Sequence, residues 1–126
     1  MKKVETVPEE SLRECLAEDG RLALVRVLRL EPFNQGTRGS RVDIHVEVER
    51  TLHGELPRQV YFWVWAAPNL KPGHRLILAA RPPYEGTTEV EQIAFVEVPE
   101  GMSEEAVQAH QQALAKLGRE NAPQGP

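Results

Sequence analysis

The sequence predicts an all-β fold, a five-stranded barrel flanked by two short helices. Three observations carry this expectation. Residues 42–48 alternate between apolar and polar, residues 59–66 are nearly continuously apolar, and turn residues cut the chain between 21 and 98 into five short runs. No helical period separates those runs, so a parallel sheet with crossover helices is not expected.

Before the runs, Thr6 and Glu9 have the spacing of a capping box, with Pro8 suited to a first helical turn. Leu12, Cys15 and Leu16 then recur at helical steps, and Asp19-Gly20 closes a short amphipathic helix. Arg21 to Leu30 is the first strand, closed by Glu31-Pro32. Arg41 to Leu52 is the clearest one. Its Val42, Ile44, Val46 and Val48 alternate with Asp43, His45, Glu47 and Glu49, so one face is buried and the other is wet. Gln59 to Ala66 is apolar on both faces and is expected to be covered on both sides. Arg75 to Arg81 and Val90 to Val98 supply the fourth and fifth strands, separated by Pro82-Pro83-Tyr84-Glu85-Gly86. Ser103 is placed as the N-cap of a second helix, Gly118 as its C′ residue, and Ala106, Val107, Ala113, Leu114 and Leu117 as its apolar stripe.

The organisation is a segment with a short helix over 1–20, a barrel with its C-terminal helix over 21–118, and a disordered tail over 119–126. Closing the sheet would remove the exposed edges of so small a structure, which favours a five-stranded barrel of the OB kind over the alternative, a small β-sandwich. The chain of 126 residues is 40% apolar and 27% charged, ordinary for a globular domain. Fifteen basic against nineteen acidic residues leave a net charge of −4, which supplies no field for drawing in nucleic acid or an anionic membrane. The single cysteine excludes an intrachain disulfide. No apolar run reaches the ~20 residues of a membrane span. The opening Met1-Lys2-Lys3 lacks the apolar run of a secretory signal, so the sequence as it stands reads as cytoplasmic, or as exported if a signal segment has been removed.

Ala23 to Ala80 resembles the bacterial relatives of the netrin and metalloproteinase-inhibitor (NTR/TIMP-like) OB domains. The residues that carry the resemblance are ALVRV in the first strand, VDIHVEVERTLHGEL through the second, and LKPGHRLIL at the entry to the fourth. It implies the barrel and a bias toward protein binding. Animal members carry several disulfides, and the inhibitors chelate a protease zinc through an N-terminal cysteine. Cys15, alone and inside a helix, does not match that arrangement.

Tyr61, Trp63 and Trp65 lie two residues apart on one strand and share a sheet face. Such rows stack bases in single-strand-binding OB domains. The preferred reading is burial beneath the Val107–Leu114–Leu117 stripe of the second helix, with protein contact next and nucleic acid last. Asp43, His45, Glu47 and Glu49 read as a solvated face, since neighbours ~6.6 Å apart on a strand do not close a tight metal site unaided. His53 and His74 stand at strand–loop junctions where either could join His45, and His110 is isolated. Cys15 reads as a buried, inert thiol. Gly36-Thr37-Arg38-Gly39-Ser40 lacks the ending of a phosphate loop and reads as a hairpin loop, and no serine lies in a nucleophile-elbow pattern.

The functional expectation is therefore a non-enzymatic module that binds another protein, without cofactor or metal. Its candidate contacts are Phe33, Asn34 and Arg38 in the loop between strands one and two, Tyr84 in the loop between strands four and five, and the face of Tyr61, Trp63 and Trp65. For Phe33 and Tyr84 the competing reading is that they cap the barrel ends. Single-stranded nucleic-acid binding on the aromatic row, or a metal protein using His45, His53 or His74, are the alternatives. The oligomeric state is left open by the sequence.

Overall fold

A computed structural model describes residues 4–33, 41–65 and 69–121. Helix α1 (Glu9–Ala17) leads into β1 (Arg21–Phe33), β2 (Arg41–His53), β3 (Gln59–Trp65), β4 (Arg75–Ala80) and β5 (Gln92–Val98), and α2 (Ser103–Asn121) follows. The strands form one antiparallel sheet in the order β3-β2-β1-β4-β5. Five strands and two helices are as expected from the sequence; closure is not. The ladder ends at β3 on one side and β5 on the other, and the backbone pairing that approaches closure among the described residues is an isolated parallel bridge from Tyr61 to Glu89, three residues ahead of β5.

Two cores stabilise the sheet, one on each face. On the inner face Val25, Val27, Ile44, Val46, Phe62, Leu76 and Leu78 are buried together with Val90. Phe62 stacks at a tilt on Phe95, 5.5 Å between centroids. On the opposite face Leu22, Leu24, Ile77 and Ala79 meet Leu12 and Cys15 of α1 and Ala106, Val107 and Leu117 of α2. The strands covered on both faces are thus β1 and β4, while β3, apolar on both faces as well, is covered on one. A run such as Leu76-Ile77-Leu78-Ala79 presents apolar side chains both ways, and both helices are drawn to that one outward stripe.

β1 contains a phase slip. The register against β2 jumps between Val27 and Arg29, so Leu28 is a bulge. The slip keeps Leu30 against the inner core while turning Arg29 and Glu31 outward beside His45.

The helix ends differ in detail from the expected caps. Pro8, not Thr6, is the N-cap of α1, and no side chain caps it. At the other end Asp19 takes a left-handed φ of 54° and Gly20 N–H reaches back to Cys15 C=O at 2.6 Å, a Schellman-type closure. Ser103 is the first residue of α2 rather than its cap, since Ala106 N–H bonds Met102 C=O at 2.9 Å. The helix also runs through Gly118 to Asn121 instead of stopping there. No helix here is long and apolar enough to cross a membrane, among the described residues.

Candidate functional site

The aromatic row of β3 is not under α2. Val60, Phe62 and Val64 point to the inner core, so period two turns Tyr61, Trp63 and Trp65 to the outer face. The stripe of α2 is instead taken up in the cluster that holds Leu22, Leu24, Leu52, Ile77 and Ala79, with β4 and the Leu52 end of β2 nearest the helix, which overturns the burial expected for this row. Trp65 is 65% exposed; Tyr61 and Trp63 are half-buried.

Strand register assembles the neighbours. Trp63 and Trp65 meet edge-to-face, 5.1 Å between ring centroids. The guanidinium of Arg41, paired across from Trp65 at the start of β2, lies 4.8 Å above the Trp63 ring and donates from Nε to Asp43 at 2.8 Å. One step along, the His45 ring stacks on Tyr61 at 5.1 Å. Tyr61 Oη donates to Glu89 Oε1 at 2.9 Å, and this bond, with desolvation behind it, raises the phenol above its ordinary pKa. On the β1 side Glu31 Oε2 stands 3.6 Å from His45 Nε2, and the Arg29 hydrogen bond holds the Glu31 carboxyl below the usual range. A transverse line of side chains, Glu31–His45–Tyr61–Glu89, thus crosses the sheet.

The polar row of β2 is less solvated than expected. Asp43, His45 and Glu47 are half-buried. Arg26 and Arg58 pair with Glu47, and Arg75 donates to Glu49 at 2.7 Å. The face is a field of compensated ion pairs rather than a basic surface. The histidines do not converge: His45 and His53 are eight residues apart on one strand, roughly 26 Å. His74 pairs with Glu97 at 3.2 Å, and His110 is fully buried and bonded to Val7 of the N-terminal segment.

Of the loop candidates, Asn34 and Arg38 lie outside the described residues, and Phe33 is placed only as the last residue of β1. Tyr84 is 52% exposed and is no buried cap. Its N–H bonds Glu89 C=O at 3.2 Å, which brings the loop to the Tyr61 end of β3. Arg41, Glu89 and Glu91 belong to this region and were not singled out in the sequence. The alternation of β2 could have put Arg41 on the outer face; only cross-strand register puts it over an indole. No protein-family model matches the chain, and no curated protein matches it either.

Proposed function

We propose that this protein is a non-enzymatic module that binds another protein through the outer face of β2 and β3. The observation that carries the reading is the exposed Trp65 packed edge-to-face on the half-buried Trp63, with Arg41 stacked above the Trp63 ring. Tryptophan and arginine are the residue types that dominate binding energy when desolvated by a partner. Tyr84, exposed in a loop whose backbone is bonded to Glu89, is a further candidate contact, as are Phe33 at the end of β1 and Asn34 and Arg38 in the sequence after it. The Tyr61 hydroxyl, kept protonated and donating to Glu89, is suited to fixing the row and not to proton transfer.

The fold supports an OB-like, incompletely closed barrel of the NTR/TIMP-like kind. Support comes from the strand order 3-2-1-4-5 and from the bridge joining the two edges at Tyr61 and Glu89. Stacking of single-stranded nucleic acid has the exposed Trp65 in its favour. The pairing of Arg26, Arg29, Arg41, Arg58 and Arg75 with carboxylates stands against it.

The test is affinity capture from native lysate with the wild type and with Trp65→Ala/Tyr84→Ala, both exposed positions. The expected result is a reproducible set of proteins lost in the variant. An unchanged set sinks the reading, and tryptophan quenching by oligonucleotides at low salt selects the nucleic-acid alternative.

A further inference from the structure

The edge of β3 is unfinished. Tyr61 donates its N–H to Thr88 C=O at 3.0 Å and accepts from Val90 N–H at 2.9 Å, on the side away from β2. Successive residues of a strand turn their backbone groups to opposite edges, so Trp63 and Trp65 project N–H and C=O from this same edge. The next rung of the parallel ladder, Trp63 against Glu91, is not made, and no backbone bond to these groups on that edge occurs among the described residues. The strands diverge instead around a cleft of about 450 Å³, with Trp63, Val64 and Trp65 on one wall and Val90, Glu91 and Gln92 on the other.

The two levels of the cleft differ in chemistry. Val64 and Val90 belong to the inner core and form its apolar floor. Its outer lip is aromatic on the β3 side and acidic on the other, where Glu89 and Glu91 follow the outward phase set by the Tyr61–Glu89 bond. Glu91 keeps surplus negative charge, because its cation, Arg81, is shared with Glu14 and Glu18.

We propose that this cleft takes an extended segment of a partner protein as an added strand, with side chains that alternate apolar and basic. The inference rests on the protein-binding reading above and names its partner chemistry. Backbone groups of Trp63 and Trp65 supply the ladder bonds. Apolar residues of the segment continue the Val64–Val90 floor, and its lysines or arginines lie between the indole of Trp65 and the carboxylate of Glu91. A second folded copy is disfavoured as the occupant, because its edge would arrive with a neighbouring strand about 4.8 Å behind it, on the side where Val90, Glu91 and Gln92 wall the cleft.

The probe is a terminally blocked octapeptide alternating valine and lysine, titrated into the whole protein at fixed salt. Tryptophan fluorescence and amide shifts report the binding. The expected result is saturable quenching, with the largest shifts at Trp63, Trp65 and Val90. A fully N-methylated peptide with the same side chains and a valine–glutamate peptide should each bind about tenfold more weakly or worse. Equal binding of the N-methylated peptide overturns strand addition while leaving the aromatic-face reading intact. Equal binding of the valine–glutamate peptide overturns the charge preference, and shifts centred elsewhere overturn the site. If no peptide binds while capture from lysate remains sensitive to Trp65 and Tyr84, this inference alone falls; if both fail, both fall.

Discussion

His110 and Val7 are 103 residues apart in sequence and joined by one hydrogen bond: the Val7 N–H donates to His110 Nε2 at 3.0 Å in a fully buried setting. Nδ1 lies 2.7 Å from the Ala106 carbonyl, so Nδ1 carries the proton and Nε2 is the acceptor. The imidazole is a neutral staple that ties the chain ahead of α1 to the body of α2.

Burial lowers the His110 pKa below its ordinary 6.5, outweighing the Ala106 bond, which raises it. The unfolded chain therefore binds the proton more readily. The staple's contribution is complete above about pH 6.5 and declines as pH falls through the lowered folded value. Denaturation midpoints measured from pH 8 to 5 should fall on the acid side, and His110→Ala should flatten that part of the profile. The same variant should lose about 2–5 kcal/mol at neutral pH, since it leaves the Val7 N–H without a partner and a void beside it.

Cys15 should be chemically silent in the folded protein. Its thiol points at the Arg21 carbonyl, 3.4 Å away, and burial pushes its pKa up to about 11, against the smaller lowering effect of Arg21. Iodoacetamide at pH 8 should leave the native protein unmodified and label it fully in guanidinium chloride. Rapid native labelling would contradict this environment.

Gly20 should tolerate no side chain. A Cβ there would stand 2.7 Å from the Cys15 carbonyl oxygen and 2.9 Å from its Cα, both backbone atoms of the helix end. Gly20→Ala should cost about 1–3 kcal/mol by forcing α1 away from β1, read as a lower urea midpoint at unchanged m-value.

Arg81 joins β4 to α1, donating to Glu14 at 2.8 Å and pairing with Glu18 and Glu91. About a third of the side chain is exposed, so solvent screens these pairs. Arg81→Ala should lower stability by about 1 kcal/mol in low salt, and by less as ionic strength rises. A loss that is insensitive to salt would assign the effect to packing instead.

The inner core should answer more strongly than Gly20 or Arg81. Phe62→Ala removes the largest wholly buried side chain among the described residues and its contact with Phe95, and should cost about 3–5 kcal/mol in equilibrium denaturation.

The sequence by itself determined the strands and, for β2, the face on which each side chain lies. Val42, Ile44 and Val46 are buried and Asp43, His45 and Glu47 are not, because a two-residue period assigns faces whatever the neighbours are. It also marked Tyr61, Trp63 and Trp65 as sharing a face. Only the tertiary structure decided that this face is open. An apolar helical stripe such as Val107–Leu117 can dock on any apolar sheet face, and the choice of Leu22, Leu24, Ile77 and Ala79 over the indoles depends on where the chain reversals leave α2. The Leu28 bulge, the stacking of Arg41 on Trp63 and the split between β3 and β5 are likewise properties of strand register. Register is set between strands, and no single run of residues contains it.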